Sequence, residues 1–255
     1  MRIQTVQSQA FKSIFETLKE ILIDANIVFN QDGMSIQSLD NQQVSYVQLF
    51  LKATEFEEYD VAGEVVVGVN CNQLFRLLKT ITNNDILVLS VTAHHTLEIT
   101  IENLNKKSRS RFELKVLDIN QTLYEDIDGL LNPMAVTTYN SLELQRLCRD
   151  CTHIGKDLVI VRSPGSIEFV CEGDYAKQIT TVEIEDDSYT GKTLKDTYML
   201  SMMCLFMKAS SVSPSVTLTH HCSSNGEHNT LVFEYNIADL GTLKFYLAPK
   251  INVEG

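Results

Sequence analysis

Histidine, cysteine and acidic side chains lie close together at several places in the sequence, and such groups could bind a metal ion or activate water for hydrolysis. The segment Cys148-x-x-Cys151-x-His153 has the ligand types of a zinc site. Further candidate ligands are His94, His95, Asp186, His220, His221, Cys222 and His228. A metal-dependent hydrolase that uses the region of His220, His221 and Asp186 is therefore one hypothesis.

The spacing of these groups argues against a metal or catalytic site. On a helix, Cys148 and Cys151 fall in the apolar stripe and His153 on the opposite side. Neighbouring histidines on a strand point to opposite faces, so neither histidine pair can chelate an ion from one side. The acidic run EIEDD (183–187) is typical of a solvated hairpin, and the sequence contains no nucleotide-binding, nucleophile-elbow or zinc-protease motif. We therefore expect no enzymatic activity, no metal and no cofactor.

Basic side chains form the other candidate set. An apolar period of about 3.6 residues predicts four amphipathic helices, at 10–22, 72–81, 142–154 and 198–210. Each helix carries basic residues on its polar face: Lys12, Lys19, Arg76, Lys79, Arg146, Arg149, His153 and Lys208. On a single helix such residues indicate no more than solvation, but their presence on all four predicts a basic surface made of helices.

The composition limits the partners that such a surface could bind. The 255 residues are 44% hydrophobic with only 4 Pro and 11 Gly, as in a packed globular protein, and carry a formal net charge of -12. The acidic runs EFEEYD (55–60), YEDID (124–128) and EIEDD (183–187) lie outside the predicted helices. Phosphate could therefore meet the helices despite the net charge, through contacts that do not depend on nucleotide sequence. The six cysteines and the lack of a long apolar run or signal sequence predict a soluble intracellular protein with reduced thiols.

An internal duplication organises the chain. A shift of about 134 residues places TLEITIENLNKKSRSRFELKVL (96–117) on TLVFEYNIADLGTLKFYL (230–247), and it also superimposes the first and third predicted helices. The acidic segment between the copies ends in Asn132-Pro133 and has neither a helical nor a strand period, which is typical of a linker. We predict an N-terminal domain at 1–117, a connector at 118–133 and a C-terminal domain at 134–255. Each domain is predicted to be α+β, with two helices packed on antiparallel sheet.

Three segments carry a family resemblance: GMSIQSLDNQQVSYVQLFL (33–51), LCRDCTHIGKDLVI (147–160) and IADLGTLKFYLAPKI (237–251). They resemble the proliferating cell nuclear antigen family of eukaryotic and viral DNA sliding clamps, and the similarity runs nearly end to end. The resemblance implies the α+β DNA-clamp fold and a homotrimeric, pseudo-sixfold ring around double-stranded DNA. It implies a non-catalytic polymerase processivity factor whose partners are DNA polymerase, other clamp-binding proteins and a clamp loader, with no membrane. The implied location is the nucleus, or the cytoplasmic replication site of a virus.

The resemblance also implies two sets of binding residues. The DNA-facing set is Lys12, Lys19, Arg76, Lys79, Arg149, His153 and Lys208. The partner-binding set, which takes a short hydrophobic motif, is Leu39, Val44, Tyr46, Ile127, Leu130, Leu131, Tyr246, Leu247, Ala248 and Pro249. Ser201 stands where the family has a further arginine, so that DNA contact is expected to be missing. Thr230 replaces a pocket proline and the connector is longer than in the family, which leaves the motif preference open.

A packing estimate favours three subunits in the implied ring. Helices about 9 Å apart, twelve in a circle, leave a hole near 24 Å after a helix diameter of about 10 Å is subtracted. The eight helices of a dimer would leave only about 13 Å, too narrow for a duplex. A checkpoint-type clamp subunit in a heterotrimer is the alternative within this class. The basic run KKSRSR (106–111) fits either a solvated turn or a nuclear address.

Overall fold

The order of helices and strands repeats once along the chain. The computed structural model describes residues 1–92, 96–120, 127–185, 187–223 and 229–250, with the backbone alone at 92, 128, 130, 223 and 229. The chain divides into two units, Met1–Leu123 with Asn236–Leu243 and Tyr124–Tyr235 with Lys244–Gly255. In each unit a strand leads into a helix, further strands follow, and a second helix precedes the last strands. The α+β fold class predicted from the sequence is confirmed.

The first unit contains antiparallel sheet and two helices. Its elements are β1 (Arg2–Thr5), α1 (Ser8–Leu18), β2 (Asp24–Phe29), β3 (Gly33–Leu39), β4 (Ser45–Lys52), β5 (Glu58–Asp60), β6 (Val65–Asn70), α2 (Cys71–Leu78), β7 (Asp85–Thr92), β8 (Thr96–Asn103) and β9 (Ser108–Lys115). One sheet has the order β5-β1-β7-β8-β9, and a second run of neighbours is β4-β3-β2-β6. The opening strand β1 therefore pairs with β7, the strand that follows α2.

The second unit repeats this arrangement. Its elements are α3 (Ile127–Leu130), β10 (Leu131–Asn140), α4 (Ser141–Cys151), β11 (Asp157–Ser163), β12 (Ser166–Glu172), β13 (Lys177–Glu183), β14 (Leu194–Met199), α5 (Leu200–Phe206), β15 (Ser215–Ser223), β16 (Asn229–Ile237) and β17 (Gly241–Leu247). One sheet has the order β13-β12-β11-β14, and β10-β15-β16-β17 are neighbours in another. Here too the opening strand, β10, pairs with β15, the strand that follows the second helix.

The end of β16 and the start of β17 pack within the first unit. The Lys52 N–H donates a hydrogen bond of 2.9 Å to the Leu240 carbonyl. Gly241 approaches β4 so closely that a Cβ at this position would lie 1.9 Å from the Phe50 carbonyl oxygen. A residue without a side chain is therefore required where the chain returns to the first unit.

The apolar stripes predicted from the helical period form the cores of the two units. The buried stripe residues are Phe11, Ile14, Phe15 and Leu18 in α1, Leu74, Phe75 and Leu78 in α2, Leu144, Cys148 and Cys151 in α4, and Leu200, Met203 and Phe206 in α5. Phe206 stacks on Phe245 of β17 with ring centroids 4.7 Å apart. Each large apolar side chain buried in this way contributes roughly 1.5–3 kcal/mol to folding.

The helices end earlier than their apolar patterns predict. The apolar pattern predicts that the first helix reaches Leu22, but it ends at Leu18, and Ile21 and Leu22 are buried outside the helix. The third ends at Cys151 instead of Ile154, and the fourth continues after Phe206 as a 3-10 turn. Apolar residues just beyond a helix can still fill the core, so periodicity alone overestimates helix length.

Asparagine caps fix where α2 and α4 begin. The Asn70 side chain accepts a hydrogen bond of 3.0 Å from the Gln73 N–H. The Asn140 side chain accepts from the Leu142 and Glu143 N–H groups at 3.0 and 3.2 Å. These bonds satisfy donors that the first turn of a helix cannot pair internally, which stabilises the two helices by about 1 kcal/mol each.

A buried ionic cluster lies in the core of the second unit. The Arg162 guanidinium is fully buried, with Nη2 2.6 Å from Asp187 Oδ1 and its charge 5.0 Å from the Tyr189 ring centroid. His220 of β15 is 1% exposed. Burial is the main cause that lowers the pKa of His220 to about 4, and the nearby charges of Arg162 and His221 contribute to the same shift. The imidazole of His220 is therefore neutral in the folded protein at neutral pH.

We predict that His220 makes stability depend on pH. In the unfolded chain its imidazole takes up a proton near pH 6.5, whereas in the folded chain it does so only near pH 4. Stability should therefore fall by up to about 3 kcal/mol as the pH drops from 6.5 to 4. Urea unfolding at pH 7 and pH 4.5 should show a smaller pH effect for His220→Leu than for the unchanged protein. His153→Leu, at an exposed position, is the control, and an equal pH effect in all three proteins would contradict the prediction.

Candidate functional site

The helix pair of the first unit carries four of the predicted DNA-facing cations. Arg76 in α2 and Lys79 at its end are exposed. Lys12 of α1 is half-buried, and its ammonium donates a hydrogen bond of 2.9 Å to the Ile81 carbonyl just beyond α2. This bond uses one of the three ammonium donors and fixes the position of the remaining two.

Lys19 lies in a different environment from the other three cations. It follows the last residue of α1 and its N–H caps the helix by donating to the Phe15 carbonyl. Its ammonium pairs with the Glu20 carboxylate and lies 5.0 Å from the centroid of the Phe75 ring. The Glu20 charge therefore offsets the Lys19 charge, which the helical pattern did not predict.

The second unit presents three predicted cations on and around α4. Arg149 is exposed near the end of α4, and His153 is exposed two residues beyond it. Lys208 is exposed in the 3-10 turn that continues α5. The Gln145 side chain donates a hydrogen bond of 2.9 Å to the Met207 carbonyl and so ties α4 to this turn.

Carboxylates lie on some of these helices as well. Exposed acidic residues occur at Glu16 in α1 and at Glu143 and Asp150 in α4. The segment from the start of α2 to Lys79 contains no acidic residue. The acids of α1 and α4 lie outside the three acidic runs predicted to surround the basic helices, so only α2 presents basic residues without a carboxylate on the same helix. A neighbouring carboxylate offsets the positive charge of a lysine or arginine and weakens its attraction for phosphate. Because α2 contains no carboxylate, it has the most positive surface of the four helices.

The β3–β4 hairpin positions three of the predicted partner-binding residues. Its turn is built around Asp40, whose carboxylate accepts hydrogen bonds from the Val44 and Ser45 N–H groups at 2.9 and 2.8 Å. Leu39 lies opposite Tyr46 in the ladder of the two strands. Leu39 and Val44 are half-buried, and Tyr46 is 5% exposed. The first two can therefore contact a ligand at their present exposure.

The predicted partner-binding residues after β16 differ sharply in exposure. Tyr246 and Leu247 are 3% and 1% exposed within β17. Ala248 is exposed and Pro249 is half-buried, immediately after the strand. Tyr246 and Leu247, which the resemblance implies as partner-binding residues, are therefore core residues, and their side chains are not open to a ligand at their present exposure.

The connector contributes the remaining predicted partner-binding residues. Ile127 in α3 and Leu131 at the start of β10 are half-buried, and the backbone of Leu130 is helical. The rest of the acidic connector, at 121–126, lies outside the described residues. The half-buried pair is exposed enough to contact a ligand, and its role in partner binding stays a prediction.

The thiols proposed for a metal site are core residues. Cys148 and Cys151 are 0% and 1% exposed, while His153 is exposed, so the three side chains do not converge. Burial raises the pKa of the Cys151 thiol to about 12, with Cys171 adding to the rise. A buried thiol with a raised pKa is a poor metal ligand and a poor nucleophile. The predicted burial of both cysteines is confirmed.

The histidine pairs give no support to a hydrolase. His220 is buried, and the positive charge of Arg162, which lowers the pKa of His220, also disfavours a bound metal ion. His94, His95, Asp186 and His228 lie outside the described residues. Within the described part of the chain, no three His, Cys, Asp or Glu side chains are grouped so that they could hold a metal ion. Among the described helices, none combines the length and apolar character that crossing a bilayer requires.

Comparison with known protein families shows which family this chain belongs to. The family description "Proliferating cell nuclear antigen, N-terminal domain" matches residues 1–124, and "Proliferating cell nuclear antigen, C-terminal domain" matches residues 132–250. The chain belongs to the proliferating cell nuclear antigen family. A curated relative from Paramecium bursaria Chlorella virus 1, named "Probable DNA polymerase sliding clamp 1", is 31% identical over 257 residues that cover 97% of this chain and 95% of the relative. The resemblance stated from the sequence is confirmed.

The matches to the proliferating cell nuclear antigen family extend over both units of the chain. The two family matches leave 125–131 between them, inside the predicted connector at 118–133. The domain limits at 117 and 134 stay predictions. Ser201 is exposed at the start of α5, so this chain presents a hydroxyl where the resemblance implies a family arginine.

Proposed function

We propose that this protein is a DNA sliding clamp, a polymerase processivity factor that encircles duplex DNA and tethers replication and repair proteins without catalysing a reaction itself. The observation that carries the proposal is the match of both proliferating cell nuclear antigen domains over nearly the whole chain. The sliding-clamp name of the viral relative agrees with it. We also propose that the protein acts where DNA is replicated, in the nucleus or at a viral replication site in the cytoplasm.

The proposed DNA contacts are made by the cations of the helix pairs, through the phosphate backbone only. Lysine and arginine ammonium and guanidinium groups position a protein on DNA without reading its sequence, and a clamp that moves along DNA needs such contacts. Arg76 and Lys79 should contribute most, because no carboxylate lies on α2. Lys19 should contribute least, because its ammonium is paired with Glu20.

We propose a homotrimer that is closed by strand pairing between copies. β9 and β13 each lie at the end of a sheet, and no described strand pairs with their outer edges. Exposed edges of this kind favour pairing with another chain. A contact between two different surfaces generates a ring when its rotation closes, and the packing estimate of the hole favours three copies.

The two edges are complementary in charge, and an apolar cavity beside one edge could take an apolar side chain from the other. In an antiparallel pairing of β9 with β13, the Arg109 end of β9 meets the Glu183 end of β13, and Glu113 comes towards Lys177. Within each copy Arg109 already pairs with Glu102 and Lys177 with Glu172, so these cations would be shared between carboxylates of the two copies. Beside β13 and α4 lies a cavity of 370 Å³ that is lined in part by Leu144, Leu147, Phe169 and Val182. An apolar side chain of the neighbouring copy could fill this cavity, and Phe112 and Leu114 of β9 are half-buried and lie at the right edge.

We propose that DNA polymerase and other clients, and a clamp loader, bind through a short hydrophobic motif. Among the members of the partner-binding set whose side chains the structure describes, the accessible ones are Leu39, Val44, Ile127, Leu131, Ala248 and Pro249. The side chains of Tyr246 and Leu247 are buried in the core, so truncating either would also lower the free energy of unfolding by about 2–5 kcal/mol. Binding should therefore be tested at the accessible members.

We predict that Arg76→Ala, Lys79→Ala and Arg149→Ala together weaken DNA binding for every sequence alike. Loss of three phosphate contacts should lower the affinity for DNA at low salt by about 10- to 100-fold. It should also reduce the slope of log affinity against log salt concentration by about three. Fluorescence anisotropy on two unrelated duplexes and primer extension by a clamp-dependent polymerase measure the two effects. Lys52→Ala, Lys192→Ala and Lys195→Ala together remove the same charge from exposed positions outside the helices and are the matched control. A loss confined to one DNA sequence would contradict backbone contact.

We predict that Val44→Ala with Leu131→Ala lowers client-peptide affinity by more than about 1 kcal/mol, because the anchors of a short motif lose apolar contact. Calorimetric titration with a polymerase tail peptide measures the change. Val66→Ala with Val136→Ala truncates two exposed valines outside the proposed site and should leave the affinity unchanged. Unchanged affinity in the Val44 and Leu131 variant would mean that the binding site has been assigned wrongly.

A further inference from the structure

An open groove of 530 Å³ lies in the first unit, between the start of α1, the segment after α2 and the β8–β9 turn. Its lining consists mainly of polar side chains that end in amide or ammonium groups: Gln9, Lys12, Asn83, Asn103, Asn105 and Lys106. None of the lining residues that the structure describes carries a carboxylate. We name this feature the turn groove.

Hydrogen bonds hold the walls of the turn groove in place. The Asn103 side chain accepts from the Lys106 N–H at 2.8 Å and donates to the Asp85 carboxylate. The other Asp85 oxygen accepts from the Thr82 N–H at 2.7 Å and from the Thr82 hydroxyl at 3.0 Å. On the opposite wall, Lys12 is fixed by its bond to the Ile81 carbonyl. The groove is therefore formed before any ligand arrives, which lowers the entropic cost of binding.

The chemistry of the turn groove selects an anion. Asp85 is 4% exposed beneath it, and although burial raises the pKa of this carboxyl, hydrogen bonds from Thr82 and Asn103 and the charge of Lys106 lower it overall. Because the Asp85 carboxylate is buried and three hydrogen bonds hold it in place, it is poorly accessible to a cation in the groove. The remaining groups, the Lys12 and Lys106 ammoniums and the Gln9, Asn83 and Asn105 amides, can donate hydrogen bonds to an anion with several acceptor oxygens.

We propose that the turn groove binds a phosphodiester of the nucleic-acid backbone. Lys12 belongs both to the groove and to the cationic helix pair, and the exposed Lys79 lies two residues before Ile81, which lines the groove. The groove thus continues the DNA-facing surface beyond the helices, and this inference rests on the proposed function. Lys106 is absent from the residues that the sequence analysis assigned to DNA, although the basic run KKSRSR (106–111) pointed to this turn.

The test compares two neighbouring lysines on the same turn. Lys106 lines the groove, whereas the adjacent Lys107 is exposed outside it. Lys106→Gln should lower the affinity for a fluorescent duplex about five- to tenfold at low salt and reduce the salt slope by about one, while Lys107→Gln should change the affinity less than about twofold. Equal losses in both variants would overturn the proposal, because they would reflect general attraction to the turn.

A second measurement separates the two sources of phosphate. The side-chain amide NMR signals of Asn83 and Asn105 should shift on addition of duplex and shift less with tripolyphosphate at the same phosphate concentration. A saturable shift that needs less tripolyphosphate than duplex would overturn the assignment to nucleic acid. If the unchanged protein bound no duplex at all, the proposed function would fail with it. If the unchanged protein binds and Lys106→Gln binds equally well, only the turn groove is refuted.

Discussion

Among the strands that lie at the ends of sheets, β9 in the first unit and β13 in the second are the two that we propose to pair between copies, and no described strand pairs with their outer edges. Backbone N–H and C=O groups on such an edge lose hydrogen bonds unless water or another chain supplies them. Each copy of the chain carries one edge of each kind, so pairing between unlike edges can propagate from copy to copy and close on itself. The proposed ring, its hole and the DNA-binding role of the basic helices would therefore all depend on the pairing of β9 with β13.

Closure would explain how an acidic chain can hold DNA. A net charge of -12 repels phosphate at long range, but repulsion between exposed charges is screened beyond about 8–10 Å at physiological salt. Inside the proposed ring the nearest charges would be those of the helices, among which α2 contains no acidic residue. A topological link also removes the need for tight binding, so a few weak phosphate contacts suffice. Weak contacts in turn permit sliding, which strong or sequence-specific contacts would prevent.

The sequence predicted what depends on local pattern and missed what depends on tertiary neighbours. The duplication, the helix stripes such as Phe11, Ile14 and Phe15, and the exposure of Arg76 and Arg149 follow from periodicity. The pairing of Lys19 with Glu20 depends on where α1 ends, and the burial of Leu247 depends on the neighbours of its strand. The turn groove joins residues from three separate segments, so no window of sequence could contain it.

The mass of the protein in solution tests strand-edge closure most directly. Light scattering after size exclusion should give about 86 kDa, three times the 28.8 kDa chain, at micromolar concentration. Phe112→Asp places a charge on the half-buried face of β9 and should reduce the mass to 28.8 kDa, whereas Leu104→Asp, at an exposed position in the adjacent turn, should leave the trimer intact. A monomer for the unchanged protein, or a trimer that survives Phe112→Asp, would contradict closure through β9, and the former would favour a clamp that assembles with different chains.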